Sequence, residues 1–116
     1  MEFKYVDLKY LNEMSGGDKG LITEMIQIFN SEVPGYLTLM NKYNKDKKWE
    51  SLGKLAHKAK ASASIMGMHQ LTNELRNLEL LAKDKKETHT YPSLIQSIEQ
   101  QFNGAMDELG TINKTL

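Results

Sequence analysis

The sequence predicts an all-α fold, an antiparallel up-down-up-down four-helix bundle with a short N-terminal helix. Apolar residues recur at helical spacings of three and four along most of the 116-residue chain, and no segment alternates like a half-buried strand. Residues that favour helix caps or chain reversals separate the helical segments, and the connections between them are short. Residues 1–116 are therefore expected to form one domain, long enough to bury about two thirds of its unfolded surface.

The first two helices are each expected to begin at an aspartate. Asp7 is placed to cap a short helix that ends at Gly16, and Asp18 is placed to cap a long second helix. Pro34–Gly35 predicts a kink or a brief break in this second helix. The apolar residues of the short helix are Leu8, Leu11 and Met14. The predicted inward positions of the second are Ile22, Met25, Phe29, Val33, Tyr36, Met40 and Tyr43.

Three further helices follow. The third is expected from about Lys48 to Met66, with Gly67 at its C-terminal end. Its inward positions are Trp49, Leu52, Ala56, Ala59, Ala63 and Met66. The inward positions of the fourth helix are Leu71, Leu75, Leu78 and Ala82. After a polar linker over 84–90, Pro92 suits the first turn of a fifth helix. Its inward positions are Ile95, Ile98, Phe102, Ala105, Leu109 and Ile112.

The composition argues against several classes of protein. Lys plus Arg equal Asp plus Glu at 15 each, so no overall field favours nucleic acid or an anionic membrane. No apolar run has the length of a membrane span, and the absence of cysteine fits a reducing compartment, so a cytoplasmic protein is expected. Seven lysines stand against two acidic residues between Lys42 and Lys60. This run indicates either a solvated helix entry or a patch that would attract an acidic partner.

A second face of the third helix carries the candidate functional residues. His57 and Lys60 lie one turn apart on this face, because residues three and four apart stack in a helix. Their neighbours are small, which is expected to leave both side chains accessible to a second protein. The residues predicted to form this accessible surface are Gly53, Ala61, Ser64 and Gly67.

The surroundings of His57 argue against two kinds of chemistry. No carboxylate lies one turn away on its own helix, so that helix cannot supply the acidic member of a Ser-His-Asp constellation. The other histidines, His69 and His89, form no His-x-x-x-His pair, and no metal site is predicted. A histidine that carries a phosphoryl group covalently remains. An imidazole nitrogen already has a free lone pair, and a nearby ammonium could hold the phosphate oxygens.

The pattern His57-x-x-Lys60-x-Ser62, with Gly67 ten residues after the histidine and Leu78-Glu79 further on, resembles the histidine-containing phosphotransfer (HPt) domain of phosphorelays. The likeness covers nearly the whole chain, although Ala61 stands where many members have glycine. It implies that His57 is phosphorylated, that Lys60 stabilises the phosphate, and that receiver domains, including that of a hybrid sensor kinase, are the partners. It also implies a monomeric carrier rather than an enzyme, with no cofactor of its own and with magnesium on the receiver.

Glu79 stands where the family often has a residue near the imidazole, and helix geometry supports the placement. If the chain reverses near Gly67, His57 and Glu79 lie at nearly the same height on adjacent antiparallel helices, at ~1.5 Å per residue. Lys83 shares a face with Glu79 and is a further candidate for positive charge beside the imidazole.

Two alternatives stay open. The bundle could bind receivers or other helices without phosphate chemistry. The second helix also has a broad apolar face, to which Leu21, Ile26 and Ile28 contribute. The N-terminal helix could cover it, or part of it could form an exposed edge next to His57 on which a receiver docks; Leu21 and Ile28 are the predicted contacts.

Overall fold

The computed structural model describes residues 3–116 and confirms an all-α bundle. Its helices are α1 (Leu8–Ser15), α2 (Lys19–Lys45), α3 (Trp49–Ile65), α4 (His69–Lys83) and α5 (Tyr91–Thr115), with a 3₁₀ turn over Thr88–Thr90. Consecutive long helices run antiparallel, α2 packs on α3 and α5, and α4 also packs on α3 and α5. The remaining helix, α1, packs on α2. Met1 and Glu2, included in the predicted domain, lie outside the described residues.

The predicted caps of the first two helices are confirmed. Asp7 Oδ1 accepts the backbone N–H of Tyr10 at 3.0 Å, and Asp18 Oδ1 accepts that of Leu21 at 3.1 Å. Gly16 has φ of 64°, the left-handed conformation that ends α1 and that glycine adopts without steric cost. These local signals therefore set where α1 ends and α2 begins.

A tight reversal joins α3 to α4. Gly67 adopts φ of 69°, and the Met68 N–H donates to the carbonyl of Ala63 at 3.0 Å, the bond typical of a Schellman motif. Helix α4 then begins at His69. The short connection holds the two helices side by side and in a defined register.

The core follows the predicted inward positions closely, with differences in α2 and at the start of α3. Ile26 is 2% exposed and belongs to the core, whereas Met25, Tyr43 and Trp49 are half-buried. Helix α2 runs unbroken through Pro34, which is exposed, so the brief break expected there does not occur. Phe29 of α2 and Phe102 of α5 meet in the core with ring centroids 5.7 Å apart.

A hydrogen-bonded cluster sets the register between α2 and α3. The Tyr36 hydroxyl donates to Glu32 Oε2 at 2.8 Å and lies 3.3 Å from Ser62 Oγ. Burial raises the pKa of the Tyr36 hydroxyl, so it stays a donor at neutral pH. Ser62 of α3 thus lies level with the Glu32–Tyr36 turn of α2.

The two ends of the described chain lie close together. The Glu108 carboxylate of α5 accepts the backbone N–H groups of Lys4, Tyr5 and Val6 at 2.7, 2.9 and 3.0 Å. Phe3 and Leu116 line the same cavity. Within residues 3–116, none of the helices combines the length and hydropathy needed to cross a bilayer.

Candidate functional site

His57 and Glu79 form the centre of the site. His57 Nδ1 lies 2.7 Å from Glu79 Oε2, across the interface between α3 and α4. The His57 side chain is 67% exposed, while that of Glu79 is 24% exposed. The structure thus confirms the equal heights predicted for the two residues, and it leaves the imidazole open to solvent.

Lys60 completes a three-residue cluster. Its Nζ donates to Glu79 Oε1 at 2.9 Å, and its side chain is 23% exposed. The two oxygens of Glu79 therefore engage different partners. The hydrogen bond from Lys60, and secondarily that from His57, lowers the pKa of Glu79 against the opposing effect of burial. Glu79 is consequently a carboxylate at neutral pH.

The hydrogen bond to Glu79 defines which ring nitrogen can react. A carboxylate only accepts hydrogen bonds, so a neutral imidazole in this position carries its proton on Nδ1. The lone pair then lies on Nε2, the nitrogen that Glu79 does not contact, in a side chain that is 67% exposed. The arrangement presents a nucleophilic nitrogen to solvent, with an ammonium group one helical turn away.

Gly53 was expected on the accessible surface, and this placement is wrong. It is buried against α4, where a Cβ atom would lie 3.4 Å from the Glu79 carbonyl oxygen and 3.5 Å from Ala82 Cβ. A residue with little or no side chain at this position lets the backbones of α3 and α4 lie close together. Gly53 therefore helps to place Glu79 beside His57 rather than to admit a partner.

Gly67 was also expected to be accessible and is buried instead. A Cβ atom there would come within 2.8 Å of Asp7 Cβ, because the segment before α1 crosses the α3–α4 reversal. The other two members of the predicted surface, Ala61 and Ser64, are exposed as expected. The accessible face is thus narrower than predicted and lies on the outer side of α3.

The positive charge around the cluster is contributed mainly by exposed side chains. Lys83 and Arg76 lie one turn to either side of Glu79 on α4, both exposed, and Lys83 makes no ion pair among residues 3–116. The structure therefore does not bring Lys83 into the His57 cluster. Lys54 pairs with Glu50 at 3.4 Å, but both side chains are about four fifths exposed (77% and 81%), and such pairs contribute little to stability.

The apolar contacts predicted on α2 are exposed but are not next to His57. Ile28 is 50% exposed and Leu21 is 40% exposed. With Ser62 level with Glu32, to which it donates a hydrogen bond at 3.4 Å, they lie about 13 Å and about 24 Å from His57 along the bundle axis. Ile65 of α3, 44% exposed and about 12 Å from His57, was missed by the sequence analysis. Its position two turns after His57 could have indicated it.

The other histidines have different surroundings. His69 Nε2 lies 3.5 Å from Asp7 Oδ2, and its ring meets the edge of Tyr10. His89 is exposed in the 3₁₀ turn. Among the described residues, no three His, Asp or Glu side chains come together in a way that could hold a metal ion.

The chain is similar to a known protein family. Residues 24–111 match the family model of the Hpt domain, which is more than half of the chain. Comparisons with curated proteins and with solved structures gave no match. The resemblance drawn from His57, Lys60 and their neighbours is thereby confirmed. The chain belongs to the Hpt domain family, the phosphotransfer carriers of two-component signalling.

Proposed function

We propose that His57 accepts a phosphoryl group from a receiver-domain aspartate and passes it to the aspartate of another receiver. One observation carries this proposal: the His57 ring is 67% exposed while its Nδ1 is bound to Glu79 at 2.7 Å. A histidine with a purely structural role would have no need for a fixed Nδ1 proton and an open Nε2. The receivers, including that of a hybrid sensor kinase, are the partners that the family membership supports.

The transfer to His57 is a displacement at phosphorus. The Nε2 lone pair forms the nitrogen–phosphorus bond as the bond between phosphorus and the aspartyl oxygen breaks, and the carboxylate leaves with its electron pair. The reverse displacement delivers the group to the next receiver. No general base is needed, because Nε2 already carries the lone pair.

Lys60 supplies positive charge for this step. Its ammonium has three donors, of which Glu79 engages one. The other two can bind phosphoryl oxygens as charge shifts between the donor and acceptor, which is where electrostatic stabilisation contributes most. Magnesium is expected on the receiver, with no cofactor on this chain, and the phosphoryl group comes from the receiver rather than from ATP.

The receiver is expected to cover His57 together with apolar side chains on α2 and α3. A standard interface covers about 800 Å² per partner, a disc with a radius of about 16 Å. Centred on His57, such a disc includes Ile65, reaches Ile28 on the neighbouring helix at its edge, and leaves Leu21 beyond its rim. Exposed Ala61 and Ser64, about 6 Å and about 10 Å from His57 along α3, fall inside the disc and allow close approach.

Incubation with a radiolabelled phosphoreceiver tests the function. The label should move to this chain, be labile in acid and stable in alkali, and disappear in His57→Gln. His69→Gln is the matched control, because His69 is equally exposed and also faces a carboxylate. Binding without any labelling would favour the alternative, a bundle that only associates with receivers.

Affinity measurements test the docking surface. Ile65→Ala and Ile28→Ala should each weaken receiver binding by about fivefold, the cost of about 1 kcal/mol of apolar contact. Leu21→Ala provides the comparison on the same helix, with little change expected. A larger loss for Leu21→Ala than for Ile65→Ala would move the interface away from His57.

A further inference from the structure

Glu79 binds the two functional residues of the site through separate oxygens. Oε2 engages His57 Nδ1 at 2.7 Å, and Oε1 engages Lys60 Nζ at 2.9 Å. The carboxylate is partly shielded, with 24% of its side chain exposed. Its contact with Nδ1 does not depend on Nε2, so a phosphoryl group on Nε2 leaves that contact intact.

The proton on Nδ1 decides how good a leaving group the phosphorylated ring is. If Nδ1 keeps its proton, the nitrogen–phosphorus bond breaks with its electron pair returning to Nε2, and a neutral imidazole leaves. If the proton has been lost, the same step must expel an imidazolate anion, which is a far stronger base and a poorer leaving group. Phosphorylated imidazole in water loses this proton readily, because the ring then carries a formal positive charge.

We propose that Glu79 retains the proton on Nδ1 of phosphorylated His57 and thereby speeds transfer of the phosphoryl group to the receiver. The negative carboxylate favours the charged ring that it contacts. This inference rests on the proposed function, since it concerns the phosphorylated state of His57. Glu79 acts here as a positioning residue, through the ring and without touching the phosphorus.

Other charged groups on this face do not substitute for Glu79. On α3 and α4 the cations are Lys54, Lys58, Lys60, Arg76 and Lys83. All five would disfavour a positive ring. The other carboxylates of these helices have different partners: Glu50 of α3 pairs with Lys54, and Glu74 of α4 bonds α5. On α2, Glu32 engages Tyr36 and Ser62. Among the described residues, Glu79 is the carboxylate that contacts the ring.

A ³¹P NMR titration tests the inference without a protein partner. His57 is phosphorylated chemically with phosphoramidate, and the phosphorus shift is followed against pH in the wild type and in Glu79→Gln. The amide keeps an acceptor for Nδ1 but carries no charge. The titration midpoint should fall by about 1 pH unit in the variant, as expected on losing an opposite charge in contact. The same midpoint in both proteins would overturn the inference.

The transfer rate gives the functional measurement. Above both midpoints, Glu79→Gln should pass its phosphoryl group to a receiver about tenfold more slowly, and its pH profile should shift to lower pH by the same amount as the titration. Glu74→Gln is the matched control, a neutralised carboxylate on the same helix that bonds α5 instead. A loss that is equal at every pH would indicate a merely structural role and overturn the inference.

Two further outcomes separate this inference from the proposed function. If chemically phosphorylated His57 shows the shifted midpoint but no receiver exchanges phosphate with it, the proposed function fails while the protonation effect stands. If receivers exchange phosphate normally and the midpoint does not move, only the role of Glu79 fails. In the wild type, ¹⁵N NMR of the phosphorylated ring offers a measurement without a variant, with a proton expected on Nδ1 at neutral pH.

Discussion

Gly53 offers a sharp test of how the fold builds the site, because small and large substitutions should act in opposite directions. In Gly53→Ala the new Cβ would lie 3.4 Å from the Glu79 carbonyl oxygen and 3.5 Å from Ala82 Cβ, which is ordinary van der Waals contact. Alanine in a helix is favoured over glycine by about 1 kcal/mol. The melting temperature should therefore rise by about 4 °C, with the rate of phosphotransfer unchanged.

Gly53→Leu should have the opposite effect. Its additional carbons point at the backbone of α4, and overpacking of this kind costs about 1–3 kcal/mol. Relief by a shift of α4 of even about 1 Å would stretch the His57–Glu79 bond from 2.7 Å past the usual limit of about 3.2 Å. Transfer should then slow, and the Nδ1 proton of His57 should lose its hydrogen-bonded NMR shift.

Thermal unfolding and the rate of label transfer measure both effects. Gly35→Ala and Gly35→Leu are the matched controls, because Gly35 lies inside α2 with nothing within 4 Å of its Cβ position. Neither control should lose stability. If Gly53→Leu melts and transfers phosphate like the wild type, the spacing of α3 and α4 is not set by Gly53.

Three more predictions concern single side chains. Lys60→Ala should slow transfer by about tenfold to a hundredfold while stability stays within about 1 kcal/mol; an unchanged rate would remove Lys60 from the mechanism. Because Lys60 lowers the pKa of Glu79 from its ordinary 4.5, the stabilisation from Glu79 is present at neutral pH and is lost as the pH falls through the lowered value. Urea unfolding should thus show a smaller loss on acidification in Glu79→Gln than in the wild type, and equal losses would contradict this. In Gly104→Ala the new methyl group would overlap the Tyr5 ring, so unfolding measurements should show a cost of about 1–3 kcal/mol; no change would mean that this ring moves freely.

Much of the bundle could be predicted because its signals are local. The spacing of apolar residues placed the core positions of α4 and α5, and aspartates marked the starts of α1 and α2. The broad apolar face of α2 was harder. Met25 and Ile26 are adjacent and both apolar, and only the packing of neighbouring helices decides that Ile26 takes the buried position.

The sequence predicted those positions in the site that follow directly from the short connection between α3 and α4. A tight reversal at Gly67 fixes the height of Glu79 relative to His57, so counting residues was sufficient. Gly53 was misplaced because a glycine in a pattern shows that a side chain is missing, not whether solvent or another helix occupies the space. Leu21 was misplaced for a related reason: it is exposed as expected, but the sequence does not give the register of α2 along α3, which places it far from His57.

Because Phe3 and Leu116 line the same cavity, the two ends of the described chain lie near enough to be joined covalently. A short peptide joining these neighbours would make a circular molecule, and closure of so large a loop removes about 4 to 5 kcal/mol of chain entropy from the unfolded ensemble. The ring could be reopened in the polar linker over 84–90, which would exchange the order of the helices while leaving the α3–α4 hairpin intact. Such a permuted protein should keep its phosphate chemistry, because the hydrogen-bonded cluster of His57, Lys60 and Glu79 lies within that hairpin.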